Sequence, residues 1–223
     1  MNVLGFDTAT PTTAVGLETG GAVTQSHDTV APAERGHHAE SLLVQARVLL
    51  EAAGLDWSEL DLIAVGVGPG GYTGLRIGLA TARGLALAHG ARLVGVGTLT
   101  ALAEPVGGRL AISVLDARRS ELFVAAYLDD VEVLAPRVIP AEQLRQELTA
   151  IDLPGALALG DGALAHRAGL EALGIEVAPQ SSELHRISGA AVCRLAARAA
   201  SGSAVPRYLR RPDAEIALTE ANR

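Results

Sequence analysis

Few residues in this chain have the types and spacing that chemistry needs. Two aspartates close apolar runs in matching positions, Asp7 after Val3 to Phe6 and Asp116 after Leu110 to Leu115. Asp7 opens a hydroxyl-rich turn, Thr8-Ala9-Thr10-Pro11-Thr12-Thr13. Two carboxylates facing a shared cleft, with the Thr8 and Thr10 hydroxyls beside them, could hold Mg²⁺ and the phosphates of ATP, and an ATP-binding or ATP-hydrolysing enzyme would use them so. Ala9, however, puts a Cβ where close phosphate approach favours glycine. An aspartate at a strand end also hydrogen-bonds its own turn readily, so both readings stand.

The glycine-dense stretch Gly66-Val67-Gly68-Pro69-Gly70-Gly71 formally contains G-x-G-x-x-G between an apolar run and a helical pattern. A dinucleotide site would need more. The next strand runs into Gly97-Thr98 with no acidic residue for a ribose, and Pro69 lacks the N–H that a phosphate would want. The chain has no lysine, so all 18 of its basic residues are arginine. Schiff-base chemistry, a P-loop lysine and a kinase-type lysine are thereby excluded. His37 and His38 are adjacent and face different sides of a helix, and neither H-x-x-x-H nor H-E-x-x-H occurs. The single Cys193 excludes an internal disulfide and, among alanines, reads as a small core residue. Gly70 to Gly74 centres on Tyr72 rather than on a nucleophile. No catalytic residue, metal site or cofactor is expected.

Composition bounds the rest. With 223 residues, 49% hydrophobic and 19% charged, the chain reads as compact and globular. Arg76 and Arg83 interrupt the most apolar stretch, so no membrane span is expected, and the N-terminus has no signal-peptide pattern. A cytoplasmic location follows as the default. A net charge of −7 argues against independent nucleic-acid binding, so any RNA would be reached through another protein.

The elements that must position these residues read as follows. Val3 to Asp7, Ala14 to Leu17 and Ala22 to Ser26 form a β-meander, and His38 to Ala53 an amphipathic helix with Gly54 at its C′ position. Asp56 and Glu59 have the spacing of a capping box. Strand Leu62 to Val67, helix Tyr72 to Ala88, strand Arg92 to Val96 and a helix from Thr98 to Ala103 complete the first half. The second half repeats the order: Leu110 to Leu115, Glu121 to Leu128 and Val131 to Leu134 as a meander, helix Ala141 to Ala150, strand Ala156 to Leu159 and a C-terminal helix His185 to Ala200. The expected fold is α/β, two duplicated ribonuclease-H-like lobes of the actin/sugar kinase/Hsp70 (ASKHA) type. The lobes are assigned to 1–105 and 106–210, with 211–223 as a loosely held tail.

The second helix carries Gly70, Gly74, Gly78, Ala82 and Ala86 at intervals of four, a ladder of minimal side chains on one face. Such a face lets another element approach closely, either its own sheet or a partner helix.

His38-Ala39-Glu40-Ser41-Leu42-Leu43, Gly68-Pro69-Gly70-Gly71-Tyr72-Thr73-Gly74-Leu75-Arg76-Ile77-Gly78, Asp116-Ala117-Arg118 and the run Pro206 to Arg210 together resemble the TsaB (YeaZ) family. The resemblance runs from Val3 to about Arg210, with Gly71-Tyr72 in place of the usual Ser-Phe pair. It implies a non-catalytic role in making threonylcarbamoyladenosine in tRNA, beside a catalytic relative, TsaD, whose metal sits on an H-x-x-x-H pair. Thr98 and Leu102 stand at the corresponding positions. The older glycoprotease label of the wider family is not expected to describe an activity here. The family pairs through the first two helices of its N-terminal lobe, with itself or with TsaD, and TsaE is a further partner. The resemblance therefore implies an interface of His38, Leu42, Leu43 and Leu79, with Gly74, Gly78 and Ala82 as the close-approach face and Arg76 and Arg83 at the rim. Gly78→Leu is then expected to abolish pairing and leave the monomer folded.

Overall fold

The computed structural model describes residues 1–29, 38–129, 131–151, 155–199 and 201–210. His37 and the tail expected over 211–223 lie outside the described residues.

Each half builds one five-stranded sheet. In the first, β1 (Val3–Asp7), β2 (Thr12–Thr19) and β3 (Ala22–Thr29) run antiparallel, and β4 (Leu62–Gly66) and β5 (Arg92–Val96) join β1 in parallel. The strand order is β3-β2-β1-β4-β5. In the second, β6 (Leu110–Arg118), β7 (Glu121–Leu128) and β8 (Val131–Pro140) are the meander, and β9 (Leu157–Leu159) and β10 (Glu176–Val177) add in parallel, giving β8-β7-β6-β9-β10. The two orders are the same. This duplicated ribonuclease-H-like plan is the ASKHA architecture.

Strand alternation decides what covers each face. Leu4, Phe6, Ile63 and Val65 face α1 (His38–Ala53) and α2 (Tyr72–His89), meeting Leu42, Leu50 and Leu79. Val3, Leu62, Ala64 and Val94 face the other way, into a core shared with α3 (Thr98–Ala103), α7 (Gly189–Arg198) and Ala111, Leu115, Phe123 and Leu157 of the second sheet. The outer face of that second sheet is covered by α4 (Leu144–Thr149) and α6 (Arg167–Glu171), through Leu144, Leu148 and Leu170. The capping box at Asp56 and Glu59 is present around a 3-10 turn.

Three boundaries differ from expectation. The helix expected from His185 starts at Gly189, because the Ser188 hydroxyl caps it by accepting from Ala191 N at 3.2 Å. Helix Ala141 to Ala150 divides into a 3-10 turn, Ala141–Gln143, followed by α4. After Leu159 the chain forms α5 (Asp161–Ala165), α6 and the two-residue β10, which are too short to show a period.

The division at 106–210 also needs correction, because α7 crosses back to the first sheet and packs on β1 and β2. A Cβ at Gly5 would meet Cys193 Sγ at 2.8 Å, and side chains at Gly16 or Gly189 would strike the backbone of the other element. Cys193 lies fully buried in this seam, its thiol donating to Val3 O at 3.6 Å and pushed up to about 12 by burial. That places it as an inert core residue. An extended arm, residues 201–210, then runs along the first lobe. Gly95 N donates to Gly202 O at 3.3 Å and Arg207 N to Val67 O at 2.8 Å. The arm ends on the second lobe, where Arg210 pairs with Glu121 at 2.7 Å.

Candidate functional site

Asp7 is fully buried at the end of β1. One carboxylate oxygen accepts from Ala9 N at 2.7 Å, and the other accepts from the Thr98 hydroxyl at 2.7 Å. Thr98 Oγ1 accepts in turn from Gly68 N at 3.2 Å. Burial pushes the Asp7 carboxyl above its ordinary range, and the hydrogen bonds from Thr98 and Ala9 oppose that rise. Gly66 leaves room for this carboxylate, since a Cβ there would collide with Asp7 Oδ2.

Thr8 is buried and donates to Gly74 O at 2.7 Å, and half-buried Thr10 donates to Thr12 O at 3.4 Å. Asp116 is exposed and accepts from Arg118 N at 2.7 Å. Asp7 and Asp116 thus make the same contact, an Asx turn to the amide two residues on. The shared-cleft placement is corrected for Asp7 and Thr8, which face the interior; of the four residues only Asp116 lines the space between the lobes. Leu102 and Thr98 are both fully buried, Thr98 holding Asp7. Among the described residues no group of three or more His, Cys, Asp or Glu could hold a metal ion.

The expected partner face divides in two. Leu42, Leu79 and Ala82 are buried in the core of their own lobe. Gly74 and Gly78 lie under the β1–β2 turn: a Cβ at Gly74 would strike Thr8 O, and one at Gly78 would sit 2.5 Å from Thr8 Oγ1. The ladder is therefore corrected to an internal seam, and Gly78→Leu would disrupt the monomer rather than spare it. Its cause is the Thr8 hydroxyl bound to Gly74 O, which needs the turn to touch the helix backbone.

The opposite face of the same helices is open. Leu43, Val44 and Val48 of α1 are 43%, 52% and 53% exposed, and Leu87 of α2 is 88% exposed. Ala80 is exposed beside them in sequence register, and nothing lies within 4 Å of a Cβ at Gly84. Val44 and Val48, four apart and apolar on a helix already carrying a buried stripe, were the available sequence signal. His38 is half-buried, its Nδ1 2.7 Å from Thr13 Oγ1, with its pKa lowered by burial against an opposing pull from Asp28. Arg76 and Arg83 are exposed but already occupied: Arg83 donates to Ala204 O at 2.8 Å and Arg76 to the Tyr208 hydroxyl at 3.3 Å. The Arg76 guanidinium also stands 3.9 Å from the centre of the Tyr72 ring.

Paired sheets of identical order, an aspartate turn at the head of each, and a lobe junction bridged by an arm define a protein of the ASKHA class. The sequence matches the family of TsaD, tRNA N6-adenosine threonylcarbamoyltransferase, over residues 23–160. The chain belongs to this family, as a homologue of its TsaB/YeaZ members. An uncharacterized protein of Mycobacterium tuberculosis (strain H37Rv) is 35% identical over 219 residues, covering 96% of this chain and 93% of its own length. The tRNA threonylcarbamoyladenosine biosynthesis protein TsaB of Escherichia coli K12 is 34% identical over 134 residues, 58% of this chain and 56% of that protein. A crystal structure from Pseudomonas aeruginosa, described as similar to peptidase YeaZ, superposes with a TM-score of 0.74 at 26% identity, covering 94% of this chain and 99% of that one. Among the described residues no helix is long and apolar enough to cross a membrane.

Proposed function

We propose that this chain is a non-catalytic subunit in the biosynthesis of threonylcarbamoyladenosine in tRNA, docking a TsaD-type catalytic subunit through the outer face of α1 and α2. The observation that carries the reading is the exposed apolar set Leu43, Val44, Val48 and Leu87 beside the open stripe at Ala80 and Gly84. Large aliphatic side chains at this exposure on two neighbouring helices form the kind of patch that marks a protein interface. The names of the relatives supply the pathway, and the same face serves a homodimer when the chain is alone. TsaE is a further partner, tRNA is reached only through the assembly, and the location is cytoplasmic.

No catalytic role is assigned to Asp7, since both of its oxygens are engaged inside the lobe. The test is co-purification with the TsaD of the same organism, joined to an assay of tRNA threonylcarbamoylation with and without this chain. Val48→Glu and Leu87→Glu should each weaken pairing by about tenfold or more while leaving the melting temperature nearly unchanged. Full tRNA modification in the absence of this chain would refute the assignment.

A further inference from the structure

An open cavity of about 250 Å³ lies where the C-terminal ends of α3 and α7 meet the start of β6 and the end of β7. Its polar lining carries both signs, Arg109 and Arg198 with Glu104 and Asp129, and the Tyr127 hydroxyl joins them. Two of these groups satisfy one another. The Glu104 side chain is only 8% exposed and accepts from Arg194 Nε at 2.7 Å and from Arg198 Nη2 at 3.3 Å, which makes a fixed wall of that side.

Arg109 and Asp129 are held differently. Arg109 donates through Nε to Gly155 O at 3.0 Å and through Nη2 to Glu176 at 2.9 Å, so its direction is set while Nη1 keeps its N–H donors. Asp129 accepts from Gly108 N through Oδ1 at 2.6 Å, which fixes the carboxylate and leaves Oδ2 as an acceptor. Among the described residues no hydrogen bond or ion pair joins the two, although Gly108 stands next to Arg109 in the chain. Tyr127 is 4% exposed and accepts from the Thr100 hydroxyl at 3.1 Å, which leaves its own O–H to donate. A buried hydroxyl with an unused donor is costly unless something accepts from it.

We infer that this cavity binds a free α-amino acid, whose carboxylate accepts from Arg109 Nη1 and the Tyr127 hydroxyl and whose ammonium group donates to Asp129 Oδ2. An α-amino acid carries its two charges on one carbon, so it presents an acceptor and a donor to the same wall at once. A simple anion would meet the repulsion of Asp129 and Glu104, and a simple cation that of Arg109 and Arg198. Ala103 and Ala111 add a methyl-lined wall, which suits a small aliphatic side chain. No residue of α1 or α2 takes part, so the site goes beyond TsaD docking and stands or falls separately from it.

The test is calorimetric titration of the full chain, without any partner, with L-valine, with isobutylamine and with 3-methylbutanoate. L-Valine is expected to bind saturably at millimolar concentration, and the amine and the acid, each lacking one of its charges, at least about tenfold more weakly. Asp129→Asn keeps an oxygen for Gly108 N and a side chain that tolerates the φ of 51° at this position, and it should weaken L-valine binding by about tenfold. Arg109→Gln should do the same, and Asp129→Asn carries the test if losing the bonds to Gly155 and Glu176 perturbs the fold around Arg109. Val48→Glu, on the docking face, should leave binding within about twofold. No saturable binding of L-valine, equal affinity for the acid or the amine, or unchanged affinity in the double variant Asp129→Asn with Arg109→Gln overturns the inference.

Discussion

A methyl group added at Gly78 would meet Thr8 Oγ1 at 2.5 Å, whereas one added at Gly84 would meet nothing within 4 Å. The two glycines sit in one helix, so propensity alone treats them alike. Packing separates them: Gly78→Ala is expected to destabilise by about 1–3 kcal/mol through overpacking, and Gly84→Ala to stabilise by about 0.8–1 kcal/mol. For a chain of this size each kcal/mol moves the melting temperature by roughly 2–4 °C, so thermal denaturation resolves the opposite signs. Shifts of the same sign would contradict an internal seam. Asp7 makes a different prediction. Its folded pKa lies above the ordinary 3.8 because burial disfavours the charge. The protonated form therefore contributes stability that is fully present below 3.8 and is lost as pH rises from there through the folded value. Asp7→Asn has no such titration, so the variant should gain on the parent as pH rises across that window. Urea midpoints measured from acid to neutral pH check this, and a pH-independent difference would count against a buried, titrating Asp7.

At the scale of elements, what could be read in advance depended on length and periodicity. The helix over Tyr72–His89, the capping box at Asp56 and the strands β1, β4 and β5 carry strong local signals, and they form where expected. α5, α6 and β10 do not, because five residues or fewer cannot display a period and their place is set by packing, α5 on β6 and β9, β10 on β9, and α6 on β10. The direction in which a helix face points was equally hidden. Nothing in the spacing of Gly74, Gly78 and Ala82 says that the Thr8 hydroxyl bonds Gly74 O from a turn sixty-odd residues earlier. Arg76 and Arg83 show the same limit: the resemblance implied an interface rim for them, and their partners turn out to be Tyr208 and Ala204 of an arm with no secondary structure of its own. The resemblance of the motifs named the helices α1 and α2, but only side-chain contacts could sort their residues into inner and outer faces.

Considered whole, the molecule is less separable than two tandem lobes suggest. One core joins Val3 and Leu62 of the first sheet to Leu115 and Phe123 of the second, with α3 and α7 between them. Glu104 adds a polar tie, accepting from Arg194 Nε at 2.7 Å. A fragment of residues 1–105 is therefore expected to lack a cooperative unfolding transition and to bind a hydrophobic dye, since Val3, Ala14 and Ala64 lose their cover. Joining residues 188–210 to it through a flexible linker should restore cooperativity. Calorimetry of the two fragments decides the matter, and a cooperative transition in 1–105 alone would show that α7 is dispensable.

The crossing of α7 back to β1 also sets a clock on synthesis. When the ribosome has finished β5 it must still add more than ninety residues before the helix that seats against Gly5 and Gly16 exists. At roughly 5–20 residues per second that is a wait of about 5–20 seconds with one apolar face of a nearly complete sheet open to solvent or to its neighbours. The nascent chain during that interval is an expected client for a holding chaperone, and slow codons placed late in the message would lengthen its exposure.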